Sequence, residues 1–273
     1  MMLCVMAVVL LSVSVVPVLL DRLTPGTPPG VRLSAWLAMV LTVLGAVLAV
    51  PVIAATGGHA VTAAVVAAPV VVLTYRIRHR YNDIMRGAGG HARAVRMIAR
   101  PTNGVRSQTP VVTIDSPLPL VYCLAGPPSL VVTTTGAHTR LNSAELEAVL
   151  AHEEAHLRQR HAQLRAILQA IATTIWWLPF FDHAAKRITE ATELCADRAA
   201  ARRHHPDTLA RALVALAPAP SIAVGAALTG ATERLEHLLQ QPQRHYGRQL
   251  AIALVVTTPT IEFLTLALGC PLF

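Results

Sequence analysis

Three stretches without a charged residue limit what this chain can fold into. Met1–Leu20 runs for twenty residues, Leu33–Ala55 for twenty-three and Ala60–Tyr75 for sixteen. A helix rises about 1.5 Å per residue, so roughly twenty apolar residues cross a hydrocarbon core of about 30 Å. The first two are long enough. The third is short and needs snorkelling arginines or the residues around Gly57-Gly58-His59 to reach across. Met1–Leu20 lacks a basic leader and an A-x-A-like site, so an uncleaved span is expected there. A fourth run, Leu250–Phe273, is interrupted by one acid, Glu262. A carboxyl group in mid-span is costly and is expected to face another helix or water. With 53% hydrophobic and only 14% charged residues, the composition also argues against an ordinary soluble domain.

The formal charge is +8 and comes almost wholly from arginine, Lys186 being the one lysine. The arginines stand beside apolar runs and form no base-reading motif. Juxtamembrane anchoring is expected, and direct nucleic-acid binding is not. Arg76, Arg78, Arg80, Arg86, Arg93, Arg96, Arg100 and Arg106 face the single acid Asp83. This is the most positive loop in the chain, and the positive-inside bias places it in the cytoplasm. Counting back over three spans gives an outside N-terminus and puts Arg22 and Arg32 on the inner side, consistently. Four cysteines (Cys4, Cys123, Cys195, Cys270) are far apart and form no C-x-x-C pair, so neither a disulfide framework nor a thiolate metal site is expected.

From Pro110 onward, three short β-like runs appear: Val111–Ile114, Leu120–Leu124 and Leu130–Thr134. Asp115-Ser116-Pro117, Gly126-Pro127-Pro128 and Gly136 separate them. They predict a small sheet, whose edge is suited to receive an extended substrate or simply to complete the fold.

The chemistry is concentrated in His152-Glu153-Glu154-Ala155-His156. Two imidazoles four residues apart share one helix face and can reach one metal ion, and Glu153 is placed to take a proton from the attacking water. The lead-in supports a helix: Asn142 or Ser143 as cap, Glu145 in the first turn, Leu146, Val149 and Leu150 as the apolar stripe. Further on, Glu193 and Asp197 lie on one face of a helix of roughly residues 187–202. A catalytic zinc needs three protein ligands and an open position. Glu193 is the expected third ligand, with Glu190 as a rival. Asp197 is suited to accept the outer N–H of a ligand imidazole. Cys195 points away and is expected to pack. Between the motifs, residues 166–181 end in Trp176-Trp177-Leu178-Pro179-Phe180-Phe181, which carry four of the chain's eleven aromatic residues. This hairpin is expected to lie in or dip into the inner leaflet. A full span there would put His152 and Glu193 on opposite sides of the membrane. Helical runs at Pro206–Leu216 and Thr232–Gln240 follow, joined by a small-residue linker, Pro218–Gly230. His204 and His205, near a helix end, read as surface residues.

These motifs, their spacing and the order of spans resemble the BlaR/MecR-type membrane metallopeptidases, which are gluzincin-like. The likeness is carried by residues 135–201, above all by the helix Leu141–His161, the Trp/Pro/Phe hairpin and Glu193-x-x-Ala-Asp197. It implies a mainly α integral membrane protein: transmembrane helices plus a cytoplasmic α+β zinc metallopeptidase domain with a small β-sheet. His152, His156 and Glu193 would then be zinc ligands and Glu153 the catalytic base. The parts would be residues 1–75 with three transmembrane helices, 76–248 as the metallopeptidase domain and 249–273 as a last span. The family's antibiotic receptors carry an extracellular penicillin-binding domain after the last span. None follows in this sequence, so direct β-lactam sensing is not expected. The resemblance implies a cell-membrane enzyme that cleaves a cytoplasmic protein, with a winged-helix repressor of the BlaI/MecI kind as the expected substrate. The competing readings are an HtpX-like quality-control protease, which shares both motifs, and a non-enzymatic transducer with a structural zinc site.

Overall fold

The structure, a computed structural model, describes residues 13–56, 60–102, 104–105, 107–126, 128–217, 232–238 and 246–267. Most of the Met1–Leu20 run, the Gly57-Gly58-His59 break, the Pro218–Gly230 linker and the last residues of the C-terminal run therefore lie outside the described residues. In chain order the elements are α1 (Val16–Leu23), α2 (Pro29–Thr56), α3 (Ala60–Ile98), β1 (Arg100–Pro101), β2 (Val111–Ile114), β3 (Val121–Leu124) and β4 (Leu130–Thr134). Then come α4 (Thr135–Arg140), α5 (Ser143–Arg158), α6 (His161–Thr174), α7 (Pro179–Ala201), α8 (Pro206–Leu216), a short α9 over 232–238 and α10 (Tyr246–Ala267). The fold is mostly helical, with one small mixed sheet.

Two units divide these elements. The first comprises Met1–Tyr81, Ile167–Thr189 and Pro242–Phe273. Its α2 buries Trp36, Met39, Val40, Val43 and Ala46, a stripe at helical spacing, and packs against α10, whose Ile252 and Val256 are buried one turn apart. Among the described residues, the stretch Pro29–Ala49 is long and apolar enough to cross a membrane by length and composition, with 21 residues at mean hydropathy 2.0. At the end of α1, Asp21 accepts from His183 Nε2 at 2.9 Å and pairs with Arg187 Nε at 2.8 Å, both from α7. The Trp176 and Trp177 side chains are exposed, whereas Phe180 and Phe181 are buried.

The run Ala60–Tyr75 does not stop where its apolar character stops. It continues as helix through the arginines to Ile98. Arginine is a good helix former, and no proline or glycine follows Tyr75 until Gly87. The basic segment is thus a helix rather than an open connection.

The second unit comprises Asn82–Ala166 and Glu190–Gln241. Its sheet has the order β1-β2-β4-β3, with β2 parallel to β4 and the other neighbours antiparallel. The three strands expected from the sequence are present; β1, two residues long, is additional. Central β4 is buried along its whole length. Val131 faces a core with Leu146, Val149 and Leu150 of α5 and Leu209 of α8, while Leu130 and Val132 face Ala92 and Val95 of α3. Strand alternation thus supplies both layers. Gly136, the second residue of α4, stands where a Cβ would lie 2.2 Å from the Pro117 carbonyl oxygen, so only glycine fits that approach.

Candidate metal centre

Helix α5 begins as expected. Asn142 caps it by accepting from Glu145 N at 3.0 Å, and the Glu145 carboxylate returns a bond to Asn142 N at 3.1 Å. This capping box fixes the start and hence which residues face inward. His152 and His156 are both buried, one turn apart, with their Nε2 atoms 3.0 Å from each other. Glu193 of α7 completes the group, its Oε2 3.5 Å from His152 Nε2 and its Oε1 3.5 Å from His156 Nε2. Two ligands each about 2 Å from a tetrahedral ion lie about 3.3 Å apart. The three separations bracket that value, and the donors are two imidazoles and a carboxylate, so the residues present fit a zinc ion. Among the described residues, Glu190 does not join this group.

The surroundings hold the donors in place. Asp197 Oδ1 lies 2.9 Å from His152 Nδ1, a close charge contact rather than a straight hydrogen bond. Burial opposes the His152 cation, yet Asp197 and Glu193 outweigh it and push its pKa up to about 9. Burial also opposes the charged Glu193, but His152 and His156 beside it hold the carboxyl well below its ordinary range. Arg234 of α9 grips Asp197 with two bonds of 2.7 Å, through Nε and Nη2, and its Nη1 is 3.5 Å from Glu193 Oε2. Against the cost of burial, Arg234 and His152 keep Asp197 ionised, its pKa lowered. Arg165 Nη2 sits 3.1 Å from Glu193 Oε1 and 3.0 Å from His156 Nδ1. His161, almost fully buried, brings its Nδ1 to 2.8 Å from His156 Nδ1. Burial and the neighbouring His156 and Arg165 push the His161 pKa down to about 4.

Glu153 points the other way along the site. Its Oε2 accepts from the backbone N–H of Cys123 at 2.9 Å, on the side of β3 that does not pair with β4. The Cys123 thiol is pushed up by burial and by the nearby Glu153 carboxylate, so it stays protonated. Glu154, the other acid of the motif, serves the fold. It accepts from Ser107 Oγ at 2.7 Å and Gln108 N at 2.6 Å, and pairs with Arg203 at 3.2 Å. His205 takes up the N-cap of α8, its ring accepting from Asp207 N at 3.4 Å.

The structure thus brings His152, His156, Glu193, Asp197 and Glu153 into one region of the second unit. Sequence reasoning did not single out His161, Arg165 or Arg234. His161 carried one signal, a third histidine five residues beyond the motif. Arg234 carried none, being one of many arginines.

Fold and site define a helical protein with two histidines and one glutamate gathered, beside a sheet edge, into a group that could hold a metal ion. The BlaR1 peptidase M56 family matches residues 58–240, more than half of the chain, and the chain belongs to that family. Two curated relatives are each named protease HtpX homolog. One, from Ligilactobacillus salivarius, is 39% identical over 70 residues, 25% of this chain and 24% of the relative. Another, from Levilactobacillus brevis, is 32% identical over 134 residues, 44% of each chain. The chain thus spans less than half the length of these relatives. No solved structure matches.

Proposed function

We propose that this chain is a multi-pass membrane zinc endopeptidase that cleaves a cytoplasmic or membrane-proximal protein. The observation that carries the reading is the group of three metal donors, with the adjacent Glu153 bonded to the Cys123 N–H on the outer edge of β3. A bound zinc supplies Lewis-acid polarisation of the scissile carbonyl and lowers the pKa of water toward about 7. His152, His156 and Glu193 hold the ion. Glu153 takes the proton of the attacking water and returns it to the leaving amine. The outer edge of β3 binds an extended substrate segment as an added strand. To act as base, Glu153 exchanges the Cys123 N–H for the water.

Family membership and the Pro29–Ala49 stretch support the membrane assignment, and the arginine-rich end of α3 supports a cytoplasmic active site. Residues 1–75 and 249–273 are assigned to the membrane and 76–248 to the metallopeptidase domain. Grouping of Ile167–Thr189 with the apolar N- and C-terminal segments supports a membrane-associated hairpin there. For the substrate we propose a winged-helix repressor of the BlaI/MecI kind. The names of the curated relatives favour a second reading, membrane-protein quality control of the HtpX kind.

Metal content and peptide-bond cleavage of detergent-purified protein test the core of this proposal. Wild type is expected to hold about one zinc and cleave, Glu153→Gln to hold zinc without cleaving, and His156→Ala to lose both. Cleavage retained in Glu153→Gln, or no zinc in wild type, sinks it.

A further inference from the structure

Among the described residues, β3 ends the sheet, and two aromatic rings stand on its α3 side. The Cys123 N–H goes to Glu153 and so points away from β4, whereas the N–H of Leu120 goes to Thr134 Oγ1 on the β4 side. Backbone groups alternate along an antiparallel pair. Val121 and Cys123 therefore present theirs to the outer edge, and Tyr122 turns its own to β4. The side chains alternate too. Val121 and Cys123 pack toward the core that α5 shares, and Tyr122 and Leu124 toward Ala92 and Val95 of α3. The half-buried Tyr122 ring meets the exposed His91 of α3, with centroids 6.1 Å apart and planes at 29°, its hydroxyl 3.5 Å from His91 Nε2. Leu120, two residues earlier, is exposed as well.

We propose that Tyr122 and His91 are specificity-determining residues, a ledge that selects an aromatic or large apolar side chain in an extended peptide added to β3. This inference rests on the reading of that edge as the one that binds substrate. A strand laid along β3 bonds to Val121 and Cys123, and one of its carbonyls takes the Cys123 N–H that Glu153 holds. When the strand runs antiparallel, its residue opposite Tyr122 forms a non-hydrogen-bonded pair, with Cα atoms about 4.5 Å apart and side chains at their closest. That side chain lies on the Tyr122 face, while its two neighbours turn toward the α5 side, where Glu153 and the metal donors are. The ledge thus reads a residue about one strand position, roughly 3.3 Å, from the point where Glu153 meets the edge. An aromatic ring gains there from ring-to-ring contact beyond the area it buries. A short polar side chain covers neither ring and leaves both in water.

The test uses the full chain in detergent micelles with zinc, carrying Glu153→Gln to prevent turnover. Two fluorescein-labelled, threonine-rich peptides differ only in having Phe or Ser at one central position, and their affinities are compared by anisotropy. The Phe peptide is expected to bind about 3- to 10-fold more tightly. Tyr122→Ala is expected to bring the two affinities together, Tyr122→Phe to keep them apart, and His91→Ala to narrow the gap. Equal affinities, no binding of either peptide, or a gap that persists in Tyr122→Ala would overturn the inference. If Tyr122→Ala does not fold, an unchanged gap in His91→Ala, at an exposed position, does the same. Cleavage is read separately, from the cuts that protein with Glu153 intact makes in unfolded casein. Enrichment of Phe, Tyr, Trp or Leu at one position near the cut is expected, and its loss in Tyr122→Ala. A protein that cuts nothing defeats the endopeptidase reading, while the affinity gap still reports whether the ledge selects its side chain.

Discussion

Arg234 and Asp197 show how charge is stabilised next to the candidate metal centre. Asp197 is almost fully buried, and both its oxygens accept from Arg234 at 2.7 Å. Removing one partner of such a pair leaves the other ionised and desolvated, at a cost of about 3–5 kcal/mol. Arg234→Ala is therefore expected to lower the urea midpoint of metal-free protein sharply, and Arg234→Ala with Asp197→Asn to lower it less. Equal effects would mean that the pair is uncoupled. The same pair sets an acid limit. The Asp197 pKa is lower folded than unfolded, so its contribution is complete above the unfolded value of about 4 and is lost as the pH falls through the folded value. Metal-free wild type should thus lose urea resistance below about pH 4 more steeply than Asp197→Asn. Parallel profiles would remove Asp197 as the cause. At this scale His152, His156, Glu153 and Glu193 were legible, because H-E-x-x-H and a downstream acidic turn are local patterns. Arg234 and His161 were not, because their importance lies in which side chains they meet.

At the scale of elements, the strands and α5 were readable from turn residues and from the Asn142–Glu145 cap. Two features escaped. Strand β1 is Arg100-Pro101, with no alternating apolar signal, and exists by pairing with β2. The break between α5 and α6 falls in Leu157-Arg158-Gln159-Arg160-His161, a run with neither glycine nor proline, so no local signal marks where the chain turns. Gly136 offers the sharpest test of how α4 joins the sheet. Gly136→Ala drives a methyl into the Pro117 carbonyl and is expected to destabilise the second unit by about 1–3 kcal/mol or more, seen as a lower thermal midpoint. An unchanged midpoint would show that the 116–118 turn yields freely.

At the scale of the whole molecule, the question is where the charged end of α3 lies. Seven arginines from Arg76 to Arg100 follow an apolar start on the same chain segment, and a positive-inside bias assigns them to the cytoplasm. A reporter fused after Arg100 should therefore report a cytoplasmic position. An external position would overturn the proposed arrangement of spans and the access of the active site to a cytoplasmic protein.

What the sequence by itself determined is whatever depends on near neighbours along the chain. This covers the apolar helices, the capped start of α5, the shared face of His152 and His156, and the shared face of Glu193 and Asp197. Helix and strand periods impose these over a few residues, whatever the rest of the chain does. Only the tertiary structure decided the sheet order β1-β2-β4-β3, the meeting of α5 with α7, the grip of Arg234 on Asp197, and the return of His161 onto His156. The first three depend on packing between segments up to 41 residues apart, and the last on a turn with no glycine or proline to announce it. No local period encodes such distances; burial of shared apolar faces and pairing of buried charges select them.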